Sequence, residues 1–91
     1  MHSLTDDDRK NLVTRLRRIE GQVRGIERMI DEDKYCVDIL TQVTAARNAL
    51  TKVGLRVLEQ HIQGCVRNVL QHDEDDRIIE ELLYVIEKFT D

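Results

Sequence analysis

A chain of 91 residues with no Pro, no Trp, three aromatics and 35% charged residues is expected to form one helical domain over residues 1–91, too short for two cores. Its net charge of −4 argues against a simple nucleic-acid binder, and its longest apolar run, Leu82 to Ile86, falls far short of a membrane span. Residues 1–8 are acidic rather than apolar, which is no signal peptide, so a cytoplasmic protein is expected, where two cysteines serve metal or redox chemistry more readily than a structural disulfide.

Thr5 followed by Asp6, Asp7 and Asp8 reads as a helix start, a capping hydroxyl ahead of acids that the helix dipole favours. From there Leu12, Leu16, Ile19, Val23, Ile26 and Ile30 alternate spacings of four and three, an unbroken heptad seam. Residues 9–28 carry seven Arg or Lys (Arg9, Lys10, Arg15, Arg17, Arg18, Arg24, Arg28) against Glu20 and Glu27, whereas residues 73–91 hold eight acids against Arg77 and Lys88. The total charge therefore hides a basic end and an acidic end, and the local field is what DNA meets. Gly21 and Gly25 weaken the first helix by about 1 kcal/mol each relative to Ala, which predicts a close helix contact there.

Asp31-Glu32-Asp33 breaks the pattern, and Asp33 or a neighbour is expected to cap a second helix running from about Tyr35 to Leu70. Leu40, Val43, Leu50, Val53, Val57 and Leu58 are expected to face inward, with Ala45, Ala46 and Ala49 where two copies of the helix would meet. After a break at Gln71-His72-Asp73, a third amphipathic helix is expected from about Asp75 to Phe89. Two long helices joined by a short loop form an antiparallel hairpin that cannot cover both of its apolar faces. The expected architecture is therefore an all-α, three-helix protomer dimerising into a four-helix bundle, with the third helix outside it or cementing a dimer of dimers.

His61 and Cys65 stand four apart, so on a helix they project from one face as an imidazole and a thiolate able to share a metal ion. Cys36 is the other cysteine, and at about 1.5 Å per residue it lies roughly 40 Å from Cys65 along one helix. An antiparallel second copy of that helix, with its two-fold near Ala49 and Leu50, brings Cys36 of one chain to His61 and Cys65 of the other. Two thiolates and one imidazole form a soft three-coordinate set that suits Cu(I), whereas Zn²⁺ takes a fourth ligand. No His-x-Glu with Cys-x-x-Cys, glycine-rich phosphate loop or Ser/His/Asp set is present, so an enzyme is not expected. His2 and His72 read as unliganded surface residues. The basic stripe taken alone supports DNA contact without any standard DNA-reading motif.

The stretches Arg15-Leu16-Arg17-Arg18-Ile19-Glu20-Gly21-Gln22-Val23-Arg24-Gly25-Ile26, Tyr35-Cys36-Val37-Asp38-Ile39-Leu40-Thr41-Gln42 and His61-Ile62-Gln63-Gly64-Cys65 resemble the CsoR/RcnR family of bacterial metal-sensing repressors. Cys36, His61 and Cys65 match the ligand places of its copper-sensing CsoR branch. The nickel/cobalt branch has His at the last place and uses an N-terminal histidine too, the persulfide-sensing branch lacks the middle His, and the formaldehyde branch normally lacks the last Cys. The resemblance implies a Cu(I)-responsive repressor whose apo form binds operator DNA and whose metal-bound form releases copper-resistance genes. A thiol redox or persulfide sensor, a nickel/cobalt sensor and a metal buffer without DNA are the alternatives. It also implies supporting roles for Tyr35 and Glu81 around the metal ligands, and DNA contacts at Arg15 and Lys52. Charge placement adds Arg18 and Arg56 to those contacts.

Overall fold

The computed structural model describes residues 4–72 and 76–90; for 65–72 and 76–78 the description covers the helix and not the side chains. Three helices follow one another: α1 (Asp6–Asp31), α2 (Cys36–His72) and α3 (Asp76–Thr90). No described helix is long and apolar enough to cross a membrane. The chain divides into two compact units, one of Thr5–Val53 and one taking in the chain from Gly54 onward. The unbroken helix α2 contributes to both.

α1 begins as its sequence predicts. The Thr5 side chain accepts a hydrogen bond from the Asp8 backbone N–H at 3.1 Å and donates its hydroxyl to the Asp8 carboxylate at 3.0 Å, so one residue answers an orphan donor and a first-turn acid together. At the other end Asp33 differs from expectation. It adopts φ 56, the left-handed region, and closes α1 rather than capping α2. Lys34 N–H donates to the Met29 carbonyl at 2.9 Å and Asp33 N–H to the Ile30 carbonyl at 3.1 Å. This is a Schellman stop with Asp in the place glycine usually takes, which a short side chain able to bond locally tolerates.

In the first unit, a four-residue turn returns the chain so that α1 and the first half of α2 lie antiparallel. Leu12 and Ile19 of α1 and Ala46 and Val53 of α2 are buried, each pair spaced by seven residues. The heptad seam of α1 splits here. Leu12 (4% exposed) and Ile19 (7%) are covered, whereas Leu16 (37%), Val23 (44%) and Ile30 (62%) remain open. On α2 the residues expected inward divide likewise, with Val53 buried and Leu40, Val43, Leu50 and Val57 exposed. One apolar line closes the hairpin, and the second has no cover within the protomer. Within the protomer Gly21 and Gly25 do not mark a close contact, since a Cβ at either would meet nothing within 4 Å among the described residues.

The close approach lies in the second unit, at Gly54. A Cβ there would stand 2.7 Å from Cζ of Phe89 on α3, so the ring occupies the space a side chain would need. Only three residues separate α2 from α3, and Phe89 near the end of α3 lies against Gly54 well before the end of α2, so the two run antiparallel. Leu58 and Ile62 on α2 and Leu82, Val85 and Ile86 on α3 are half-buried.

Alanine at Gly54 should raise helix propensity by about 1 kcal/mol yet force the Phe89 ring from its seat. Gly54→Ala is therefore expected to stabilise the Phe89→Ala variant by about 1 kcal/mol, and to leave the wild type less stable than that gain predicts. Urea unfolding of the four variants measures the coupling; identical effects in both backgrounds would show that the ring does not depend on the glycine.

Candidate functional site

Cys36 is the first residue of α2, with an exposed free thiol. Tyr35 precedes it, exposed, and its carbonyl accepts from the Ile39 N–H at 3.1 Å, the first turn of the helix. His61 is half-buried on the second half of the same helix. Cys65 lies within α2 one turn beyond His61, and its side chain is outside the described residues. Among the described residues, no three His, Cys, Asp or Glu side chains gather into a metal-holding group within the protomer.

Cys36, Val43, Leu50 and Val57 repeat every seven residues along α2, and all four are exposed. At about 100° per residue, His61 falls roughly 20° from Cys36 in helical register. The Cys36 thiol thus belongs to an exposed apolar line, and the half-buried His61 falls close to the same register. The donor types present, two thiols and an imidazole, fit a soft ion of low coordination number.

Glu81 lies exposed on α3. Counting from the Phe89–Gly54 contact along antiparallel helices, eight residues back on α3 and eight forward on α2 bring Glu81 level with Ile62, next to His61. Val85 and Leu82, to one side of it in helical register, are half-buried, and Lys88 and Tyr84, to the other side, are exposed, so Glu81 sits at the margin of the packed face.

The basic residues divide. Arg15 and Arg18 of α1 and Lys52 of α2 line one cavity of about 370 Å³, together with Ile19, Gln22, Ala45, Asn48 and Ala49. Arg56 is not part of it; its guanidinium pairs with the Glu59 carboxylate at 3.1 Å. Gln22 and Asn48 escape a reading based on charge because amides add nothing to a charge count. Their spacing is the available signal, since Gln22 follows Arg18 by four residues and Asn48 precedes Lys52 by four.

The sequence model of the family described as metal-sensitive transcriptional repressor matches residues 8–88. The copper-sensing transcriptional repressor CsoR of Bacillus subtilis is 45% identical over 83 residues, covering 91% of this chain and 82% of that protein. Among solved structures, the copper-sensing repressor CsoR with Cu(I) from Geobacillus thermodenitrificans is similar with a TM-score of 0.89 and 38% identity, over 100% of this chain and 95% of that one. The nickel-responsive transcriptional regulator InrS is similar with a TM-score of 0.82 and 30% identity, over 98% and 96% of the two chains. Three helices in this order, a thiol and an imidazole in near register on the second, and a match that spans nearly the whole sequence agree: the chain belongs to the metal-sensitive transcriptional repressor family.

Proposed function

We propose that this protein is a Cu(I)-responsive transcriptional repressor of the cytoplasm, a single non-catalytic domain that binds operator DNA when metal-free and releases it when Cu(I) is bound. The observation that carries the reading is the donor set, Cys36, His61 and Cys65 on α2, in a chain similar to two copper-sensing repressors. Thiolates select Cu(I), and an S₂N set needs no fourth ligand around that ion. A nickel site draws on more imidazole and carboxylate character, so similarity to a nickel-responsive regulator does not by itself transfer its metal.

His61 and Cys65 of one protomer hold the ion together with Cys36 of the partner subunit. The uncovered residues Leu40, Val43, Leu50 and Val57 support this arrangement, because burying them against a second copy satisfies the apolar line that carries both kinds of ligand. Exposed Leu16, Val23 and Ile30 extend the same demand to α1, and exposed Ile79, Leu83 and Tyr84 on α3 leave a face for joining two dimers. A bound ion neutralises thiolate charge and fixes the orientation of His61. Glu81, level with His61 on α3, then accepts from the imidazole nitrogen that does not ligate, while Tyr35 supports the ligand turn at Cys36. This ties α3 to the metal site. Arg15, Arg18 and Lys52 contact DNA phosphates, with Arg56 a lesser contributor because of its ion pair. A coupling of about 1–3 kcal/mol weakens operator binding roughly 5- to 150-fold.

The exposed Cys36 thiol also supports a second reading, a redox or persulfide switch in which Cys36 and Cys65 of facing protomers react with each other. His61→Ala separates the two, since oxidant release of DNA would survive it and copper release would not.

X-ray absorption of the Cu(I) form should count two sulfur neighbours and one nitrogen, and Cys36→Ala and Cys65→Ala should each lose tight binding. Four ligands, or wild-type affinity in either variant, would reject the assignment. Refolding those two variants together makes about half of the dimers mixed, and each mixed dimer regains one complete site. Roughly one tight Cu(I) site per four protomers is expected; none after confirmed subunit exchange would refute the shared site.

Glu81→Ala should separate metal uptake from response. All three ligands remain, so Cu(I) should still bind, about 10- to 100-fold more weakly. Copper should then release DNA less completely than from wild type, read as the ratio of apo to metal-bound Kd. An unchanged ratio would mean that α3 is not coupled through this residue.

A further inference from the structure

We propose that the cavity between α1 and the first half of α2 is a phosphate-binding pocket, in which the neutral amides of Gln22 and Asn48 complete a rim of Arg15, Arg18 and Lys52. Eight residues line it, three of them cations and none an acid. Two arginines outside the cavity pair with carboxylates, Arg9 with Asp6 at 3.7 Å and Arg56 with Glu59 at 3.1 Å. Arg15, Arg18 and Lys52 make no ion pair among the described residues. Three unpaired cations around one recess raise the local potential and favour an anion there.

The amides give the recess its chemistry. Gln22 carries a side-chain oxygen that is buried and has no hydrogen-bond partner. That end of the carboxamide is closed off from solvent, which leaves its NH₂ as the group that Gln22, a lining residue, can offer to the cavity. An acceptor-rich anion held by the cations then accepts from it. Asn48 lies one turn from Lys52, on the face of α2 that lines the cavity. The small side chains of Ala45 and Ala49 leave the space open at about 370 Å³.

The shape decides which part of a nucleic acid enters. Base edges lie within grooves and are read by side chains that project into them. Phosphates are the outward part of a duplex and suit a recess. The pocket therefore positions a backbone without reading sequence. It takes the phosphate group whether that belongs to a duplex or to a free anion; the DNA-binding reading above supplies only the first source.

The test uses the full-length metal-free protein with duplex DNA from upstream of its own gene and a scrambled duplex. Gln22→Met and Asn48→Ala should each weaken binding about tenfold, the cost of a hydrogen bond to a charged group. The factor should be the same on both duplexes. The salt slope should not change, because no charge is removed, whereas Arg15→Ala should lower it by about one unit per pocket engaged. Gln22→Glu, which keeps the length of the side chain, should abolish binding to both duplexes while thermal melting still shows a folded protein. Wild-type affinity in Gln22→Met and Gln22→Glu together overturns the pocket and leaves the DNA reading intact. The source is read with inorganic phosphate. Displacement of duplex beyond chloride of equal ionic strength, lost in Gln22→Glu, shows that the free anion enters too; displacement no better than chloride assigns the pocket to the duplex backbone. If the wild type retards no duplex but broadens the phosphorus resonance of inorganic phosphate, and Gln22→Glu does not, the DNA reading falls and the pocket stands.

Discussion

The continuity of α2 is the constraint on which the rest depends. A helix advances about 1.5 Å per residue and turns about 100°, so it carries residues far apart while keeping them in register. Cys36 opens this helix and His61 follows 25 residues later. A thiol and an imidazole so placed cannot meet around one ion in the same chain, yet they share a line. In the shared site proposed above, an antiparallel copy of the helix would turn that line into a meeting of ends, and the proposed ligands would form a set only where two chains come together.

The same periodicity divides the apolar residues. Leu12 and Ile19 close on Ala46 and Val53, and these four make up the buried core among the described residues. Such a core supplies little by itself, and small domains commonly find the remaining burial in association. Leu16, Val23 and Ile30 on α1 and Val43, Leu50 and Val57 on α2 are the surface still to be covered. In the proposed dimer, stability and metal sensing would draw on one interface, which is economical for a chain of 91 residues.

Glycine and phenylalanine set the third helix. The missing side chain at Gly54 admits the Phe89 ring, and this contact fixes how far α3 slides along α2. A shift of one turn, about 5.4 Å, would carry Glu81 away from the level of His61. The level of Glu81 relative to His61 is thus governed by packing seven residues before His61 on α2. In the other unit, cations and amides line one cavity together with Ala45 and Ala49, whose small side chains leave it open.

Helix number, order and approximate ends are legible in the sequence because capping and heptad spacing are local. Thr5 at the start of α1 and the break after Asp31 show this. The donor types and their spacing on one helix are legible for the same reason, as is the family. Three things needed the tertiary structure. Which half of the α1 seam is covered depends on the partner that α1 packs against, and periodicity does not distinguish Leu12 from Leu16. The close glycine contact is at Gly54 rather than Gly21 or Gly25, because the choice depends on where a ring from α3 lands. Gln22 and Asn48 join Arg15, Arg18 and Lys52 only when α1 folds back on α2. Local chemistry sets the helices and their donors; packing between segments distant in sequence sets their neighbours.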